Sequence, residues 1–183
     1  MNTVFYVGGE ANNTLWKATA TGTSWLKLVP STTCPAAVRF FVDPYRPDVI
    51  YVLDTNHVRR SADGGRTWQI DTLLENRLTW NGQITISSND NTSGLRDHFD
   101  LIMTNMQFHP TNTTLRFATG LGGAFFTTDG MNWMQVLHTG AMAGRPTKCY
   151  YDWIPDPKNP VLYVGFAGRS LVKIMGLPAS SAL

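Results

Sequence analysis

The chain has 183 residues, of which 43% are hydrophobic, 11% aromatic and only 15% charged, with a formal net charge of +2. That length and apolar content suffice for a sizeable core. The near-neutral balance excludes a strong electrostatic pull toward nucleic acid or an anionic membrane. No apolar run approaches the ~20 residues that a membrane-spanning helix needs. The start, Met1 to Gly9, carries neither the basic nor the apolar segment of a signal peptide. The compartment stays open, and a secreted or extracellular setting remains available if the chain is a fragment.

In chain order, short apolar or alternating runs separated by turn residues predict strands in four groups. The first group holds Val4–Val7, Leu15–Ala18 and Trp25–Val29. The second holds Val38–Val42, Ile50–Leu53, Val58–Ser61 and Trp68–Asp71. The third holds Leu101–Phe108, Leu115–Thr119, Ala124–Thr127 and Trp133–Leu137. The fourth holds Cys149–Ile154, Leu162–Phe166 and Leu171–Ile174. No segment combines ten residues of helical periodicity with caps, so almost no helix is expected. The first group lacks an opening strand and the last lacks a closing one.

One octapeptide organises this pattern. In Ser61-Ala62-Asp63-Gly64-Gly65-Arg66-Thr67-Trp68 a strand runs into Asp-Gly-Gly and a tryptophan opens the next strand. Aspartate bonds its own backbone a few residues on, and glycine accepts the left-handed backbone, so the chain reverses tightly. Thr127-Thr128-Asp129-Gly130-Met131-Asn132-Trp133 is the same hairpin one residue shorter, and Thr19 to Trp25 repeats that shorter spacing with Thr21 in place of the aspartate. A second marker sits upstream: Val42-Asp43-Pro44, Phe108-His109-Pro110 and Asp156-Pro157 each precede an apolar strand. Both markers give a unit of roughly 45 residues, the length of a propeller blade, with about 20 extra residues between the second and third units.

The Ser/Thr-x-Asp-x-Gly-x-Thr-Trp pattern resembles the Asp-box, or BNR repeat, of sialidases, sortilin-type receptors, xyloglucanases and photosystem-assembly-factor propellers. The resemblance implies an all-β fold: a β-propeller segment of about four blades, each a four-stranded antiparallel sheet. The units are 1–31, 32–73, 101–140 and 146–176, with 74–100 an inserted polar loop. It also implies that Ser61, Asp63, Gly65, Trp68, Thr127, Asp129, Gly130 and Trp133 stabilise hairpins rather than catalyse. Trp25, Trp68 and Trp133 are each expected to pack at the start of an outermost strand.

Sialidase chemistry finds little support, because the chain holds only two glutamates, Glu10 and Glu75, and nothing ties Arg39 to Tyr150 or Tyr151 in one constellation. A glycosidase of the xyloglucanase kind would draw its carboxylates from Asp97, Asp100 and Asp152, which would have to stand about 5–9 Å apart. The insertion is the leading ligand candidate: Trp80 and Arg96 lie among Asn76, Arg77, Asn81 and Gln83. Aromatic faces beside amides recognise sugars and peptides. Arg145, Lys148, Tyr150 and Tyr151 form a second polar and aromatic cluster. No spacing suggests a metal, and no cofactor is implied. Cys34 and Cys149 read as separate free thiols, and the Asn-x-Ser/Thr triplets at Asn12, Asn91 and Asn112 as chance in an Asn- and Thr-rich chain. The expected function is a non-catalytic binding or assembly module. The alternatives are part of a glycoside hydrolase acting on a polysaccharide, and a structural component of a larger particle. A protein partner or a second copy is expected to complete the ring, with a glycan as a further ligand.

Overall fold

The computed structural model describes residues 4–9, 14–19, 24–30, 39–54, 57–83, 102–138, 146–152, 159–166 and 171–177. These hold four antiparallel sheets in two compact units, residues 1–72 and 73–183.

The first unit carries β1 (Val4–Gly9), β2 (Thr14–Thr19) and β3 (Trp25–Leu28) in one sheet, and β4 (Arg39–Val42), β5 (Ile50–Leu53), β6 (Val58–Ser61) and β7 (Gln69–Ile70) in the next. Each strand pairs with the one before it, so each sheet is a simple meander. Leu15 and Leu28 of the first sheet meet Ile50 and Val52 of the second, with Phe40, Val42 and Trp68 packed around them. β5 is buried on both faces, whereas β3 contributes only Leu28 to this core.

Trp25 departs from expectation. It opens β3 and pairs with Ala18, but its side chain is 48% exposed. Side chains alternate along a strand, so Trp25 points to the face opposite Leu28 and away from the core that Leu28 joins. Residues 20–23 of its degenerate hairpin lie outside the described residues.

The second unit opens with α1 (Thr72–Leu78), so the segment expected as a polar insertion begins as a helix. Two apolar side chains four apart, Leu74 and Leu78, give it one buried face. At seven residues it is a single two-turn element, which is why no sustained helical period betrays it. Then follow β8 (Met103–Phe108), β9 (Arg116–Gly120), β10 (Gly123–Thr127) and β11 (Met134–His138) in one sheet, and β12 (Pro146–Asp152), β13 (Val161–Phe166) and β14 (Leu171–Ile174) in the last. β12 starts three residues earlier than the sequence suggested. Leu115, Phe117, Ala124 and Phe126 pack against Leu162, Val164, Phe166 and Leu177 between these two sheets.

Candidate functional site

The two complete hairpins are built as hydrogen-bond cages around a carboxylate. Asp63 Oδ1 accepts from Ser61 Oγ (2.8 Å), Arg66 N (3.0 Å) and Thr67 N (2.9 Å), and Oδ2 accepts from Thr67 Oγ1 (2.6 Å). Ser61 Oγ in turn accepts from Gly65 N at 2.8 Å. Asp129 repeats this with Thr127 Oγ1 (2.9 Å), Met131 N (2.8 Å), Asn132 N (2.7 Å) and Asn132 Nδ2 (2.6 Å). The Thr67 bonds, for Asp63, and the Asn132 and Met131 backbone bonds, for Asp129, hold both carboxyls well below the usual range. All of these donors favour the ionised form of each carboxyl. Gly65 and Gly130 sit at φ 88° and 77°, where a side chain would be strained. Trp68 and Trp133 each stand immediately before a fourth strand, β7 and β11, in equivalent positions.

A pocket forms where α1 ends. The helix terminates in a Schellman-type motif: Asn81 N donates to Asn76 O (2.7 Å) and Trp80 N to Arg77 O (3.4 Å). Thr79 N bonds Glu75 O (2.9 Å), and the Leu78 carbonyl accepts Gly122 N from the β9–β10 turn (2.6 Å). All four closing carbonyls therefore find partners. The position after the helix, where glycine usually adopts the left-handed conformation, is Trp80 at φ 50°, followed by Asn81 at 56° and Gly82 at 76°. A left-handed non-glycine residue costs about 1–3 kcal/mol and is frequent at ligand sites.

The indole is held in place. Trp80 Nε1 donates to Gly122 O at 3.2 Å, and Gln135 Nε2 donates to the same oxygen at 2.9 Å. Gly122 permits this approach, because a Cβ there would stand 2.6 Å from Arg77 O and 3.0 Å from Trp80 Nε1. Asn76, Arg77, Trp80, Asn81, Phe125 and Gln135 line a pocket of about 300 Å³. Two aromatic side chains, three amides and one guanidinium converge on it.

Of the residues expected to bind ligand, Trp80 lies in this pocket. Arg96 and Arg145, like Asp97 and Asp100, fall outside the described residues. Tyr150, Tyr151 and Asp152 lie on β12, paired with Tyr163, Leu162 and Val161, and their side chains are outside the described part. The sequence alone sets Asn76, Arg77 and Asn81 beside Trp80, whereas Phe125 and Gln135 come from β10 and β11, and only the folded sheet brings them there. Among the described residues no cluster of three metal-ligating side chains occurs, and no helix is long and apolar enough to cross a membrane.

No protein-family model and no curated protein matches the chain. Solved structures do. The GH74 enzyme of Niastella koreensis aligns over 89% of this chain with a TM-score of 0.54 and 19% identity. The fold is of the β-propeller type. The chain spans only 24% of that enzyme's length. An ancestral GH74 enzyme aligns over 93% of this chain and 29% of its own, with a TM-score of 0.38 and 14% identity.

Proposed function

We propose that this chain is a portion of a larger glycoside-hydrolase-related propeller and that its α1 pocket contacts a polysaccharide. The observation that carries the reading is the pocket itself: an indole pinned by its own N–H in a strained turn, ringed by amides, on a propeller-type sheet. An aromatic face stacks on the apolar face of a sugar ring, and amides serve its hydroxyls as both donors and acceptors. The GH74 likeness supports hydrolase kinship over a pure assembly module, and the quarter-length coverage supports a larger ring as the setting. Within that reading the Ser61–Trp68 and Thr127–Trp133 hairpins are Asp-boxes that brace the sheets.

In this reading the site contributes binding, not bond cleavage. Trp80 orients a sugar ring and the amides fix its rotation, while the carboxylates that would cleave a glycosidic bond are Asp97, Asp100 or Asp152. Isothermal titration of the full-length protein with soluble polysaccharide fragments tests the reading. Binding should weaken at least tenfold in Trp80→Ala, as expected when a stacking aromatic is truncated. Binding unchanged in that variant would overturn it. Loss of hydrolysis, with binding kept, in Asp97→Asn or Asp100→Asn would assign the chemistry to the 74–100 segment.

A further inference from the structure

We propose that the pocket selects an acidic saccharide, one bearing a carboxylate or a sulfate ester, over a neutral one; this rests on the glycan reading above. The pocket lining holds one charge, the Arg77 guanidinium, and no carboxylate among the described residues. Arg77 makes no ion pair among the described residues, in contrast to Arg46 with Asp43 and Arg59 with Asp54. Both of those arginines are spent on turn carboxylates. Arg77 is presented instead on the last turn of α1, three residues before Trp80 in the left-handed turn that follows, and both side chains line the pocket.

The donor inventory makes the selection directional. A guanidinium offers five N–H donors in a planar fork and no acceptor. A neutral sugar hydroxyl satisfies one such donor, whereas a carboxylate or sulfate takes two in parallel and supplies the missing negative charge. Asn76, Asn81 and Gln135 are uncharged and serve either kind of sugar, so they do not discriminate. The half-buried Trp80 gives the ring an apolar face, backed by the buried Phe125. The ligand that uses every group has an apolar ring face, hydroxyls, and one anionic substituent on the Arg77 side.

The test is calorimetry on the full-length protein with three oligosaccharide probes of matched length: an oligogalacturonate, a sulfated galactan fragment and a neutral β-glucan fragment. The acidic probes should bind at least tenfold more tightly than the neutral one. Arg77→Gln should erase that preference, and Arg77→Lys should restore only part of it because the fork is lost. Raising the salt should weaken acidic binding and leave neutral binding nearly unchanged. Which acidic probe binds more tightly identifies the anionic group. A neutral probe that binds as tightly, loses affinity in Trp80→Ala and ignores Arg77→Gln would overturn the acidic selection and leave the glycan reading standing. Binding of none of the three would overturn both. Arg77 is exposed, so its variants should keep the wild-type denaturation midpoint, and that midpoint is the folding control.

Discussion

The sheets β4–β7 and β8–β11 are two executions of one plan, and their differences show which parts of the plan are chemistry and which are geometry. After the first strand, each chain turns around a buried acceptor. In β4–β7 it is Asp43, whose Oδ1 takes the N–H groups of Tyr45 (3.0 Å) and Arg46 (3.3 Å) while its own N–H donates to Val49 O. In β8–β11 it is His109, whose Nδ1 takes Thr111 N (3.1 Å) and Asn112 N (2.8 Å) while its N–H donates to Leu115 O. A carboxylate and an imidazole thus do the same work, because the turn asks only for a buried lone pair at that place. The carboxylate cages of Asp63 and Asp129 are likewise interchangeable. What differs is the connection between the middle strands. In the first sheet the Asp54 carboxylate closes it on His57 N and Arg59. In the second, Leu121 and Gly122 take the place of that carboxylate turn, and the Gly122 carbonyl and N–H receive Trp80, Gln135 and the end of α1. The pocket exists in one sheet because Gly122, which lacks a side chain, leaves room for the helix end.

The tryptophans offer the largest way to break this equivalence. Trp68 is half-buried and donates Nε1 to Gly65 O at 3.0 Å. Trp133 is 3% exposed, and its Nε1 has no partner among the described residues. Trp133→Ala should cost about 3–5 kcal/mol in urea unfolding. Trp68→Ala should cost less, about 1–3 kcal/mol, because less surface is withdrawn from water. The phenylalanine variants should reverse in character: Trp68→Phe loses a hydrogen bond worth about 1 kcal/mol, whereas Trp133→Phe removes an unsatisfied buried donor and should be near neutral. Equal costs in both pairs would mean that burial and hydrogen bonding do not separate the two hairpins.

Acidity sharpens the comparison next. Burial pushes the His109 imidazole below its ordinary value of 6.5. The unfolded chain therefore binds a proton that the fold resists, so the contribution is complete above about pH 6.5 and declines as pH falls through it, by up to about 1.4 kcal/mol per unit. His109→Asp should remove that decline by substituting the acceptor the other sheet uses. Asp63 and Asp129 act lower: their folded values are depressed, so their contributions hold above about pH 4 and fade below it. Asp63→Asn and Asp129→Asn should each flatten the acid limb of a thermal-midpoint profile. A wild-type profile flat from pH 7 to 5 would remove His109 from this role.

Much of this was legible in the residues. Strand positions followed from alternation and turn chemistry, and the hairpins from Asp-Gly and Trp spacing, because those signals are local. Trp25 misled because a tryptophan at the right spacing says nothing about which face of an edge strand it takes. α1 reads as loop because its three leucines, Leu73, Leu74 and Leu78, lie within only seven residues, too short a stretch to establish a period. The pocket was half legible: Trp80 stood out by composition, but Phe125 and Gln135 reach it only through sheet pairing. His109 was visible as a repeat of Asp43, although its acceptor role needed the turn geometry.

The smallest effect on stability concerns the feature that sets the two sheets apart. Trp80 occupies a left-handed position at φ 50° where glycine would sit without strain. Trp80→Gly removes the indole contact and its bond to Gly122, which destabilises, and relieves a backbone penalty of about 1–3 kcal/mol, which stabilises. The two should nearly cancel, leaving the unfolding free energy within about 1 kcal/mol of wild type. Oligosaccharide affinity should nonetheless fall as far as in Trp80→Ala, since both lose the ring. Trp80→Ala keeps the strain and loses the contacts, so it should be the less stable of the two. If the glycine variant instead unfolds several kcal/mol more easily than alanine, the turn is unstrained and the tryptophan is there to pin α1 to its sheet rather than to present a ring to a ligand.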